Sequence, residues 1–96
     1  MMKIQVREMG DDVVLQVCGR VAGCWVPELE KCWQGAHAGH PKSTFAVDLR
    51  DVTFIDSQGE AVLRSMHDAG ARFLTGGLHI QGIVDQITGK SKRGSF

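Results

Sequence analysis

The stretch Phe45-Ala46-Val47-Asp48-Leu49-Arg50-Asp51-Val52-Thr53-Phe54-Ile55-Asp56-Ser57-Gln58-Gly59 decides the fold. From Thr44 to Leu49 the residues Phe45, Val47 and Leu49 fall on one face, the period-two pattern of a strand, and Val52, Phe54 and Ile55 carry the apolar supply onward. Ile55-Asp56-Ser57-Gln58-Gly59 then sets polar side chains and a glycine where that strand hands over to a helix. Such a junction can present backbone N–H groups to a ligand or a partner surface. Downstream, Val62, Leu63, Met66 and Ala69 recur at helical spacing, which predicts an amphipathic helix with Arg64, His67 and Asp68 toward water and an end at Gly70. Ser57-Gln58-Gly59-Glu60 fits a capping box, in which the serine hydroxyl accepts the N3 amide proton and the glutamate reaches back to the serine N–H. On that reading Ser57 caps the helix and Asp56 is left free. Glu60 and Arg64 stand four apart in the favoured order, a solvated pair of small value.

Toward the N-terminus, Lys3 to Arg7 alternate strictly, with Ile4 and Val6 on one face, and Gly10-Asp11-Asp12 is turn chemistry leading into the more apolar run Val13 to Cys18. A hairpin is predicted. Gly19 and Gly23 break the pattern, and Pro27 suits the first turn of a helix because its missing N–H has no partner there. Leu29, Cys32, Trp33 and Ala36 form an apolar stripe, with Glu28 and Lys31 outward, and Gly35-Ala36-His37-Ala38-Gly39-His40-Pro41 is expected to end the helix. With a helix between them, the second and third strands require a crossover in one sheet.

Toward the C-terminus, Arg72 to Thr75 can form a short fourth strand, closed by Gly76-Gly77, whose freedom at positive φ suits a sharp exit. The next segment, Leu78 to Ile83, alternates like a strand, yet Ile80, Ile83, Val84 and Ile87 fall at helical spacing over the longer window, and a helix is predicted. The polar run Lys90-Ser91-Lys92-Arg93-Gly94-Ser95 predicts a mobile tail over about 89–96.

At 96 residues, with 43% apolar and 23% charged side chains, the chain has the composition of one folded domain spanning 1–96. Eleven basic side chains balance eleven acidic ones, so no net field draws the chain to nucleic acid or anionic lipid. No apolar run approaches the roughly 18 residues of a membrane span, and the start Met1-Met2-Lys3-Ile4-Gln5 has no signal-peptide core, so a cytoplasmic protein without direct membrane insertion is expected. Cys18, Cys24 and Cys32 lack a C-x-x-C pair and are read as reduced, Cys18 and Cys32 as small core residues.

Chemistry finds little purchase. His37 and His40 stand three apart in a glycine-rich loop with no carboxylate or thiolate at matching spacing, a poor metal site. Gly89-Lys90-Ser91 resembles the end of a phosphate-binding loop, but Val84 stands where that loop needs a glycine. No Ser, His and Asp set is singled out. The expectation is no catalytic residue, no metal and no cofactor. The functional reading of the junction is phosphorylation, which would meet the positive end of a helix dipole; Ser57 supplies a hydroxyl, although as the expected cap it is badly placed to lose it.

The stretch Phe45 to Gly59 closely resembles the signature of STAS domains, the family of bacterial anti-sigma factor antagonists, in which an apolar strand ending in Asp-Leu leads to Asp-Ser-Ser/Thr-Gly at a helix start. The similarity continues through Ala69-Gly70-Ala71-Arg72-Phe73 and into the helix containing Ile83 and Ile87. The resemblance implies an α/β fold, a small mixed four-stranded sheet with helices packed mainly on one face. It also implies a non-enzymatic binding module. Members of that family bind an anti-sigma factor that is also a kinase, and phosphorylation of the hydroxyl residue just before the motif glycine breaks the complex. Here that position is Gln58, and Ser57 matches the residue beside the acceptor; Ala22 also stands where the family often carries an acidic residue. Carried over by position, the partner-binding residues are Asp56, Ser57, Gln58, Gly59 and Glu60, with Ser57 the remaining candidate for phosphorylation.

Glutamine is neutral and hydrogen-bonding, closer to an unphosphorylated side chain than to a doubly charged one, which suggests a permanently open docking face. The leading expectation is an anti-sigma factor antagonist-like module in regulation of transcription by partner switching, its partner an anti-sigma factor or serine kinase-like protein. The alternative is a structural subunit of a signalling assembly or transporter complex, which needs binding without phosphorylation.

Overall fold

Strict alternation at one end of the chain and helical periodicity at the other meet in a single sheet covered by helices. The computed structural model describes residues 2–89. In chain order the elements are β1 (Met2–Met9), β2 (Asp12–Val21), a 3-10 turn (Gly23–Trp25), α1 (Val26–Gly39), β3 (Thr44–Ile55), α2 (Ser57–Asp68), β4 (Arg72–Leu74) and α3 (Leu78–Thr88). The sheet order is β1-β2-β3-β4. The hairpin pairs Ile4 with Val17 and Val6 with Leu15, while β2 runs parallel to β3 and β3 parallel to β4. The expected mobile tail falls on residues 90–96, outside the described residues; Gly89 closes α3 in the left-handed region at φ 78°.

One face of the sheet carries the core. Val13, Leu15 and Val17 of β2 and Phe45, Val47 and Leu49 of β3 are buried with Leu29 and Trp33 of α1, Leu63 and Met66 of α2, and Ile80, Val84 and Ile87 of α3. Burying each such side chain contributes about 1.5–3 kcal/mol, which lets weak local propensities be overridden. On the opposite face Val14, Gln16, Cys18 and Ala46 are half-buried, and Asp48 is buried beneath Arg50, whose Nε and Nη2 donate to its carboxylate at 3.0 and 2.8 Å. The Arg50 guanidinium holds the Asp48 carboxyl below the usual range, against the upward push of burial. All three cysteines are free, with Cys24 exposed, and burial pushes the Cys32 thiol up.

Several boundaries depart from the sequence expectation. The segment Gly35–Pro41 does end α1, but only near its far end: the helix runs through Gly35 to Gly39, and the His40 N–H closes it on the Ala36 and His37 carbonyls. The reason is packing, because Trp33 and His37 both stack near Phe45, at 5.1 and 5.4 Å between ring centroids, and straightening that turn would lose both contacts. Strand β3 continues six residues past Leu49, since pairing with β2 resumes beyond two register shifts as far as Val21 opposite Ile55. Val6 and Phe54, expected on apolar faces, are 43% and 38% exposed, and Ala69, expected inward, is exposed at the C-cap of α2. Gly76 and Gly77 do not use positive φ. Gly77 is instead the extended N-cap of α3, and Gly76 passes close over Arg50, where a Cβ would lie 3.3 Å from the Arg50 carbonyl oxygen.

Candidate functional site

The junction builds itself from one constraint. Strand β3 ends at Ile55 and α2 begins at Ser57, so a single residue must both leave the strand and cap the helix. That residue is Asp56, extended at φ −90° and ψ −178°. One carboxylate oxygen accepts the Gly59 N–H at 2.7 Å, and the other accepts the Gly23 N–H at 2.9 Å. The expected capping box is therefore overturned. Ser57 is not the cap; it occupies the first helical position with an exposed side chain, and Asp56 is the bound residue. Aspartate caps as well as serine does, and the last extended residue wins because its side chain alone reaches back over the first turn.

The second contact of Asp56 joins distant parts of the chain. Gly23 sits at φ +58°, a conformation that glycine adopts without strain, and this turns its N–H toward Asp56. The Asp56 N–H in turn donates to the Val21 carbonyl at 3.1 Å. Gly59 lies buried against this end of β2: a Cβ there would stand 2.6 Å from the Val21 carbonyl oxygen and 2.9 Å from its Cγ1. A glycine at this place is a packing requirement.

Around this knot the surface is mixed. Gln58 and Ser57 are exposed, Glu60 is half-buried, and Trp25, 37% exposed, stands on the turn that Gly23 begins. Phe54, near the end of β3, is covered on one side by Arg20, whose guanidinium carbon lies 4.8 Å from the ring centroid. Glu60 and Arg64 form no ion pair among the described residues. The geometry thus gathers Asp56, Ser57, Gln58, Gly59 and Glu60 at one helix start and ties Gly23 to it, which sequence reasoning did not place there, while Trp25 on the same turn lines a groove with Met2, Ile4, Glu28 and Cys32. Gly23 was legible as a break in the pattern, but only the fold brings it to Asp56.

The hydrogen bond from the Gly23 N–H, followed by that from Gly59, lowers the Asp56 carboxyl below its ordinary value. A carboxyl lowered in the folded state adds stability at pH above its unfolded value and loses it as pH falls through the folded one. An Asp56→Asn variant, which keeps an acceptor but not the charge, should melt lower than the parent at neutral pH. The gap should close as pH drops through the depressed carboxyl range. Melting curves of the two proteins across acidic pH check this, and a gap that stays constant with pH would refute the assigned role.

Among the described residues no cluster of three or more His, Cys, Asp or Glu could hold a metal ion. His37 packs against Trp33 at 5.0 Å, and His40 lies 3.5 Å from Glu8, so the two do not converge. No described helix is long and apolar enough to cross a membrane.

No family model matches the sequence, and no curated protein does. Solved structures do. An anti-sigma factor antagonist from Mycobacterium paratuberculosis superposes with a TM-score of 0.74 at 21% identity, over 90% of this chain and 81% of that one. The anti-sigma factor antagonist SpoIIAA in its unphosphorylated form gives 0.59 at 18% identity, over 76% of this chain and 71% of that one. Mglu gives 0.58 at 21% identity over 74% of this chain, which matches only 18% of that protein. At these identities the likeness establishes architecture. The chain has the STAS-type fold of anti-sigma factor antagonists, in agreement with the resemblance read from Phe45 to Gly59.

Proposed function

We propose that this chain is a protein-binding module of the anti-sigma factor antagonist type, acting in partner switching that regulates transcription, with a docking face made of the α2 start and the Gly23–Trp25 turn. The observation that supports the reading is the Asp56–Gly59 motif at a helix start, with Ser57 and Gln58 exposed, on a fold shared with anti-sigma factor antagonists; Gln58 stands at the position where the resembling family places its phosphoacceptor. An amide accepts no phosphoryl group, so the face stays open to a partner, an anti-sigma factor or serine kinase-like protein. The role is binding, without catalysis, cofactor or metal.

The same glutamine favours a second reading, a structural subunit of a signalling assembly or transporter complex that binds constitutively. Affinity capture from the native cell, with identification of the bound protein, separates the two. Titration of that protein then tests the face: Ser57→Tyr, which adds bulk at an exposed position of the α2 start, should weaken binding about tenfold or more, with little change in melting temperature. Unchanged affinity would move the interface elsewhere. Intact mass after incubation with the captured partner and ATP should show no adduct at Gln58, and an adduct at Ser57 would transfer the switch to that hydroxyl.

A further inference from the structure

A second site lies at the opposite end of α2, remote from Asp56. The twelve residues of α2 separate the two by about 18 Å. A cavity of about 610 Å³ opens between β4, the C-terminal end of α2 and one side of α3. Its volume falls within the range of small-molecule sites. Ala71, Arg72, Phe73 and Leu74 all line it. Side chains of consecutive strand residues alternate between faces, so one cavity reaches all four only by opening at the strand's free edge. Strand β4 is that edge of the sheet.

The polar residues of the wall are mostly committed. Gln81 is bonded through its carbonyl oxygen to Thr75 and through its amide nitrogen to Asp85 at 2.8 Å, and the Thr88 hydroxyl donates to the Val84 carbonyl at 3.0 Å. The uncommitted polar side chains are Arg72 and His67, the latter 6.4 Å from the Phe73 ring and tilted 32° to it, and beside them lies the backbone of the free β4 edge. Arg72 is exposed and makes no ion pair among the described residues.

A half-open groove with a ring in one wall, the backbone of a free strand edge beside it and one unpaired guanidinium at its rim selects a particular ligand chemistry. We propose that this cavity binds a small monocarboxylate with an aryl or short alkyl body, the body lying against Phe73, His67 and Val84 and the carboxylate held by the fork of Arg72. A single fork matches a single carboxylate, and a polyanion would leave charge over the apolar wall. This site is independent of the docking face, so either can fail without the other.

The test is amide NMR of the full chain titrated separately with phenylbutyrate and octanoate, and with phenylbutyramide as the neutral counterpart. Saturable shifts should centre on Arg72–Leu74, Gln81 and Val84, and the amide should bind about tenfold more weakly than the acid, the value of a charge-assisted pair. Arg72→Gln should bring the acid down to the level of the amide, while Arg72→Lys, which keeps charge without the fork, should retain part of the difference. Arg72 is exposed, so the melting temperatures of both variants should match the parent. Absence of saturable binding by either acid would overturn the proposal. So would equal binding of acid and amide, or shifts that centre on Trp25 and Gln58.

Discussion

Gly59→Val is expected to destabilise the domain by about 3 kcal/mol, at the upper end of the range for overpacking a tight contact. The glycine is not used for conformational freedom, since it lies within α2 and not among the residues at positive φ. It is used for proximity. A Cβ would be driven to 2.6 Å from the Val21 carbonyl oxygen, which is itself fixed by the Asp56 N–H, so neither partner can yield by rotating a side chain. Valine adds two methyl groups into contact with Val21 and Ile55, and its stiff χ1 offers few escapes. Gly59→Ala is the informative companion. An ordinary exposed helical glycine gains about 1 kcal/mol on change to alanine; here the clash should reverse the sign, leaving a net loss of about 1 kcal/mol. Denaturant melts of the three proteins decide the matter, and an alanine variant more stable than the parent would show that the close approach of α2 to β2 is not as described.

Gln58→Glu should produce opposite effects on folding and on binding. At the second position of α2 an added negative charge meets the positive end of the helix dipole, so stability should rise by a few tenths of a kcal/mol. The same charge, carried into a docked interface without a partner, should cost 2 kcal/mol or more, about a thirtyfold or greater loss of affinity. The divergence is the useful part, because a variant that binds worse while melting higher cannot be explained by partial unfolding. Titration of the captured partner against both proteins, alongside their melts, supplies the comparison. Equal affinities would place Gln58 outside the interface and remove the main support for an open docking face.

How much of this was legible beforehand varies with the physics involved. Alternation in Val13–Cys18 and Phe45–Leu49 reports burial on one face, which the sheet provides, so those strands followed directly, as did the hairpin; Lys3–Arg7 alternates in an edge strand whose Val6 stays exposed, and the place of β4 in the sheet was not read. The choice of helix for Leu78–Thr88 held because Ile80, Val84 and Ile87 needed a common buried side that a strand could not give them. Ends were read less well. The span of α1 past Gly35 depended on contacts of Trp33 and His37 with Phe45, residues far apart in sequence. The cap of α2 was misassigned because a capping box is a local pattern, whereas the choice between Asp56 and Ser57 turned on where β3 stopped. Phe54 was counted as core supply, yet two register shifts in β3 carry it out beside Arg20. At the junction, Asp56 to Glu60 do lie at a helix start, as their positions implied, and the bond from Gly23 could only come from folding.

The carboxylate of Asp56 accepts two amides, 33 residues away at Gly23 and three away at Gly59. If it swings out, both donors lose their acceptor in the same instant, so this corner of the molecule is either latched or unlatched, with little in between. A swing of that side chain loosens the turn and the helix start together. A visitor that holds Asp56 bound therefore steadies both the turn at Gly23 and the first turn of α2, through one latch.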